Sequence, residues 1–423
     1  MFTSTAIPPD HAPTPMPSFQ PTPALSERSS PWEILRVFLR LGLTSFGGPV
    51  AHLGYFRTEF VERRQWLDER SYADLVALCQ FLPGPASSQV GIAVGLARGG
   101  WLGSIAAWAG FTLPSAAVLI AFALLLAGHD AWSASGALHG LKVVAVAVVA
   151  QAVWGMAKSL CPDRPRAALA IGAALLTLLL PTAFAQVGAI VICGLIGRSL
   201  LKLPAQPAVE HRPCGVSRRA GALALAVFIL LLLGLPLLAL ATASPIVNTL
   251  DAFYRAGALV FGGGHVVLPL LQSAVVPAGW VGNAEFLAGY GAAQAVPGPL
   301  FTFAAYLGTV MNPAAAGIGG WTGGLACLLA IFAPAWLLVV GALPFWDVLR
   351  QRPAVQSALA GINAGVVGIL LAALYDPVWT GAIQNRADFG LALAGFGLLV
   401  SARWSPLLVV ALSAGAGWAM SAI

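Results

Sequence analysis

The chain has 423 residues, of which 58% are hydrophobic and only 9% charged, and its mean hydropathy is +0.84. Soluble domains carry about a quarter of their residues as charges, so this composition excludes a water-soluble globular protein and predicts an all-α integral polytopic membrane protein. The formal net charge of +6 does not call for a nucleic acid partner, because most Lys and Arg stand in short loops between apolar runs, where they set orientation in the bilayer.

Residues 1–31 contain eight prolines and no apolar core of the signal-peptide kind, which reads as a disordered cytoplasmic tail. Apolar segments follow near 35–56, 72–97, 101–127, 138–157, 167–180 and 183–201. A polar linker from Lys202 to Arg219 leads to a lone apolar helix near 220–242. Six further segments lie near 250–275, 285–310, 318–343, 357–375, 387–401 and 404–421, giving thirteen in all. The expected organisation is a tail at 1–31, a first half at 32–201, a linker with its connecting helix at 202–249, and a second half at 250–421. The segments 167–180 and 387–401 are short, so each could pair with its successor as a hairpin that does not fully cross.

The two sixes are a repeat. Phe38-Leu39-Arg40-Leu41-Gly42 matches Phe253-Tyr254-Arg255-Ala256-Gly257, and Phe46-Gly47-Gly48 matches Phe261-Gly262-Gly263. Trp66 then matches Trp280, Gln80 matches Gln294, and Gly140 falls near Gly361. One helix between two six-helix halves is an odd number, so the second half enters from the opposite side, the inverted repeat of many secondary transporters. The positive-inside rule favours a cytoplasmic N-terminus. The loop carrying Arg57, Arg63, Arg64 and Arg70 does not fit that orientation, and a re-entrant first segment would explain it.

Two motifs stand out because they break helices inside apolar runs. Pro83-Gly84-Pro85 is preceded by Gln80 and followed by Ser87 and Ser88; Pro297-Gly298-Pro299 is preceded by Gln294 and followed by Thr302. Each removes amide donors and frees carbonyls, which in hydrocarbon costs several kcal/mol unless the site is buried or wet. Gly47-Gly48-Pro49 and Gly262-Gly263-Gly264 interrupt the leading segments at corresponding places. A half-helix restarting after such a break presents unpaired amides and a partial positive charge, which suits a tetrahedral oxyanion, and glycine permits close approach. The same residues could serve only close helix packing and kinks.

Arg40 and Arg255 are equivalent in the repeat and read either as bidentate oxyanion contacts or as side chains snorkelling to the interface. His52 and His265 sit near the two glycine breaks, where either could carry a proton in a coupled cycle or simply pack through a hydrogen bond. Lys142, paired by the repeat with Asn363, is either a site cation or a terminal lysine. Nothing points to an enzyme or a cofactor: there is no Walker loop, dinucleotide fingerprint, nucleophile elbow or metal-ligand cluster. The five cysteines have no ligand spacing and read as small hydrophobes.

The chain resembles the chromate ion transporters in their long, two-half form. The resemblance rests on Phe46-Gly47-Gly48-Pro49-x-Ala51-His52 with its degenerate partner Phe261 to His265, and on the two Pro-Gly-Pro triplets; it spans roughly residues 32–421. It implies export of chromate across a bacterial inner membrane, driven by the proton-motive force and giving chromate resistance. The second half departs from the pattern, with Gly264 in place of proline and His265 earlier than His52, so the halves are expected to differ in role. Sulfate import on the same fold and an anion channel are the rival readings, and a homodimer remains open.

Overall fold

The computed structural model describes residues 29–127, 136–180, 182–201, 216–261, 264–350 and 352–421. Helices dominate because long apolar runs in hydrocarbon must satisfy every backbone group internally. In the first half these are α1 (Pro31–Thr44), α2 (Gly48–Arg57), α3 (Glu69–Phe81), α4 (Ala86–Ala127), α5 (Gly136–Leu160), α6 (Arg164–Leu179) and α7 (Ala183–Leu200). The connector is α8 (Arg218–Thr242). The second half holds α9 (Pro245–Ala258), α10 (Val267–Val275), α11 (Asn283–Gln294), α12 (Phe303–Val310), α13 (Gly320–Ala342), α14 (Pro353–Ala373), α15 (Arg386–Val400) and α16 (Pro406–Ser421). Starts are specified locally: Ser30 accepts from the Glu33 amide ahead of Pro31, and Asp163 and Asn385 cap the equivalent helices α6 and α15.

Five of the described helices are long and apolar enough to cross a membrane: Ala86–Leu126, Gly136–Leu160, Arg218–Thr242, Gly320–Phe345 and Pro353–Ala382. That is fewer than the thirteen crossing segments expected, and the breaks are the reason. Segments 35–56, 72–97, 250–275 and 285–310 are each two half-helices, and the chain doubles back between them. Glu33 at the start of α1 pairs with Arg64 beyond the end of α2 at 3.0 Å. The Arg57 guanidinium donates to Glu69 at the start of α3, and Arg98 lies over the Trp66 ring while its carbonyl accepts from the Ser29 amide. Both first-half hairpins therefore begin and end at one end of the molecule. Gly100 (φ +61) turns the chain out of the second hairpin into the long part of α4.

The second half closes its hairpins in the same way. Thr249 Oγ1 donates to the Ala316 carbonyl at 2.9 Å, and the Asn312 amide donates to the Trp280 carbonyl at 3.0 Å. The loop with four arginines thus shares an end with Ser29 and Glu33.

The halves interlock through their distal helices. α5 packs on α15 and α16 of the second half, while α14 packs on α6 and α7 of the first. Both crossings use small residues: Gly140 faces the Ser413 carbonyl, and Gly361 faces the Cys193 carbonyl. Such contacts let backbones approach closely where no solvent drives association.

Candidate functional site

The four breaks meet at one place. The Gly84 amide, inside the first Pro-Gly-Pro, donates to the Val260 carbonyl at 2.6 Å; the Gly298 amide, inside the second, donates to the Ser45 carbonyl at 3.0 Å. Ser45 and Val260 are the residues immediately before Phe46 and Phe261, so each triplet is tied to the glycine break of the opposite half. Only a residue tolerant of positive φ can make this bond, and Gly84 and Gly298 stand at +124° and +101°. Each triplet also lies against the proline-kinked helix of the other half: a Cβ on Gly84 would meet Ala335 beside Pro334, and one on Gly298 would meet Ser115 beside Pro114.

The glycine breaks face each other across this junction. A Cβ on Gly48 would sit 4.0 Å from His265 Nε2, and one on Gly264 would sit 3.5 Å from Pro49 Cγ. His52 is buried, with Nδ1 3.3 Å from Ser87 Oγ and Nε2 3.2 Å from the Ser45 carbonyl, and its ring stands edge-on to Phe111. His265 Nδ1 is 2.8 Å from the Tyr290 hydroxyl. Thr302 Oγ1 donates to the Pro299 carbonyl, and Gln89 Nε2 donates to the Pro83 carbonyl.

Electrostatics at the junction follow from which groups are already spent. α2 and α4 begin here, as do the turns leading into α10 and α12, so their N-terminal amides point inward. The ends of α1, α3, α9 and α11 arrive at the same place with carbonyls, but two of those carbonyls are occupied by Gly84 and Gly298. Among the described residues the hydroxyls of Ser45, Ser88 and Thr112 are buried here without a hydrogen-bond partner. A hydroxyl left unpaired in a dry site costs roughly 1–3 kcal/mol, so a ligand that accepts hydrogen bonds would relieve that cost.

The structure gathers Gly47, Gly48, Pro49, Pro83, Gly84, Pro85, Ser88, Gly264, Pro297, Gly298, Pro299 and Thr302, with His52 and His265, at or beside the junction. Gly262 and Gly263 lie outside the described residues. Three expectations need correction. Arg40 is exposed on the face of α1 opposite Phe38 and Leu41, and Arg255 is half exposed and paired with Asp251. Each stands seven residues before the first glycine of its break, on the helix leading to the junction and not at the junction itself. Gln80 turns away from the junction and lines a separate cavity between the ends of α3 and α5 and the start of α14. Gln294 is half-buried, and its Nε2 has no hydrogen-bond partner. Sequence reasoning missed Ser45, Gln89, Thr112, Ser115 and Tyr290. Thr112 and Ser115 flank a mid-helix proline, and that combination is a legible signal of a polar kink.

Beyond the junction, the loops show ordinary ion pairing. Hydrogen bonds from Arg166 hold the Asp163 carboxyl below its usual range, and Arg57 does the same for Glu69.

Comparison with known proteins agrees with this architecture. The family described as chromate transporter matches residues 32–198 and again 247–418. The chain is 28% identical over 401 residues to a chromate transport protein of Pseudomonas aeruginosa, covering 90% of each. It is 26% identical to a probable chromate transport protein of Synechococcus elongatus, covering 81% of this chain and 83% of that one. A chromate transport protein of Cupriavidus metallidurans is 25% identical, with 81% of each covered. No solved structure matches the chain. Matched in both halves over most of its length, the chain belongs to the chromate transporter family.

Proposed function

We propose that the chain is a secondary transporter that exports chromate across a bacterial inner membrane and so confers chromate resistance. The observation that carries this reading is the reciprocal tie between each Pro-Gly-Pro amide and the opposite glycine break, around buried hydroxyls that lack partners. A broken backbone at mid-depth, lined by donors and shared between two halves, is how secondary transporters hold an ion while the halves rock past one another. The substrate site is then Gly47, Gly48, Pro49, Pro83 to Pro85, Ser88, Gly264, Pro297 to Pro299 and Thr302, with His52 and His265 placed to carry a proton.

The layout supports two inverted halves, 32–201 and 250–421, joined by α8. Each half contributes two hairpins and two long helices, so α8 is the odd crossing that inverts the second. With the loop at 57–70 brought to the same end as Glu33, the basic residues of the first half favour a cytoplasmic N-terminus. In this reading the lipid bilayer is the protein's solvent partner. Energetics permit export without an ATP site: two charges moved through 100 mV are worth about 4.6 kcal/mol, a gradient of roughly two thousandfold.

The test is radiolabelled chromate flux in inside-out vesicles, with and without an energised membrane and with excess sulfate in parallel. Energy-dependent accumulation that sulfate barely inhibits is expected. Uptake confined to right-side-out vesicles would reverse the direction and favour sulfate import, while single-channel currents in a planar bilayer would favour a channel. The double variant Pro83→Ala, Pro85→Ala should insert normally and lose flux; undiminished flux would overturn the site.

A further inference from the structure

We propose that the cavity between the ends of α3 and α5 and the start of α14 is a second oxyanion site, a vestibule through which the anion reaches the junction. The clause about reaching the junction rests on the transport reading above; the binding site itself does not. The cavity has a volume of about 270 Å³. That accommodates a tetrahedral dianion with part of its hydration shell.

Its polar wall is Gln80, Ser159, Arg166, Gln356 and Asn363, with Trp346 closing one side. The carboxamides and the guanidinium carry N–H donors suited to an oxyanion, the Ser159 hydroxyl donates to the Gly155 carbonyl, and no carboxylate lines the space. Arg166 is mostly buried and spends two nitrogens on Asp163 Oδ2, so the local charge is nearly balanced and recognition rests on aimed N–H groups. Asn363 supplies a second, independent sign. Its amide oxygen is buried and meets no donor, so in this arrangement the group is unsatisfied. A half-turn about its last bond would present the NH2 there instead, and an anion in the cavity would reward that turn.

Position gives the cavity its purpose. Arg166 is three residues beyond the Asp163 cap, in the first turn of α6 next to the polar loop that follows α5. Gln80 and Phe81 form the inner wall and lead directly into Leu82 and the first Pro-Gly-Pro. The route from loop to junction therefore runs from guanidinium to carboxamides to broken backbone. The repeat provides an internal control. The counterparts of Arg166, Asn363 and Gln80 are Asp388, Lys142 and Gln294, and Asp388 is engaged by His139 at 2.7 Å. Where one end of α5 has Arg166 beside a cavity, the equivalent place at the other end holds a carboxylate paired with His139.

The experiment uses the full chain with its native cysteines replaced and Ser159→Cys introduced, labelled by a negatively charged methanethiosulfonate. Sulfate is the probe, since chromate oxidises thiols, with chloride at matched ionic strength as control. Sulfate is expected to slow labelling where chloride does not, and its half-maximal concentration should rise about tenfold in Asn363→Leu and in Arg166→Gln. Gln80→Leu stands in should Arg166→Gln fail to fold. Protection should persist in the Pro83→Ala, Pro85→Ala background, where the junction is broken. Equal effects of sulfate and chloride, or protection unchanged in all three wall variants, would overturn the vestibule. Chromate flux in vesicles decides the transport reading separately, whichever way the labelling falls.

Discussion

The hairpins of the two halves repeat the same backbone and fill it with different chemistry. At the end that holds the chain's first helix, the hairpins are closed by charge: Arg64 to Glu33 and Glu59, Arg57 to Glu69, and Arg64 and Arg98 over Trp66. In the second half the equivalent hairpins are closed by neutral hydrogen bonds from Thr249 and from the Asn312 amide. The ends of α5 show the same contrast, an open polar cavity with Arg166 at one and a locked His139–Asp388 pair at the other. The repeat conserves what the backbone must do, namely break, double back and cross. Side chains then make the hairpins of one half unlike those of the other.

The largest effect that would sharpen this contrast is expected at Asp388, which is fully buried and accepts from His139 and from the Gln384 amide. Asp388→Ala should cost about 1.5–3 kcal/mol in thermal unfolding of the detergent-solubilised chain, because hydrogen bonds to a charged group are lost. Arg166→Gln, at the equivalent position, should leave the unfolding temperature nearly unchanged and act on anion binding instead. Equal destabilisation by the two would break the comparison.

The junction is where the halves should behave alike. Gly84→Ala and Gly298→Ala each force a side chain into left-handed backbone, at about 1–2 kcal/mol, and each meets a side-chain atom, Gln89 Nε2 or Ser115 Oγ, at 2.9 Å. Both variants are expected to lose chromate flux to a similar degree; a variant at one glycine that transports normally would show that only the other half carries the site.

The smallest effect concerns pH. Glu69 ionises below its usual range because Arg57 donates to it, so its contribution to stability is complete above about pH 4.5 and disappears as pH falls through its folded value. Glu69→Gln should flatten that acid limb slightly, and high salt should weaken the same end in the unmodified chain. The neutral closure at Thr249 should respond to neither. A Thr249→Val variant whose stability loss relative to the unmodified chain changes with salt would contradict the assignment.

How much of this was legible in the sequence depends on how local each feature is. Gly-Gly and Pro-Gly-Pro disrupt the helix wherever they fall, so the four breaks could be placed from residue type alone. Duplicated spacing likewise exposed the repeat. What a break does to direction is not local: whether a chain restarts onward or doubles back is set by contacts such as Glu33 with Arg64, formed between residues 31 apart. For that reason thirteen crossings were expected where hairpins stand. Gln80 misled for a related reason. It is three residues from Pro83, but α3 ends at Phe81, so helical spacing does not carry from one to the other and its side chain lies on another wall. The hydroxyl of Ser45 left no motif at all, since a lone serine before a glycine break is indistinguishable from a loop residue until Gly298 arrives beside it.

That last contact has a consequence for biogenesis. The Ser45 carbonyl receives its partner from Gly298, about 250 residues further along the chain. At roughly 5–20 residues per second of synthesis, the first-half hairpins wait on the order of 15–50 s before the junction can close. During that interval the nascent protein holds two re-entrant segments whose backbone ends have no mate. The membrane insertion machinery, or the chaperones that attend it, must keep lipid out of that gap until the second half is delivered.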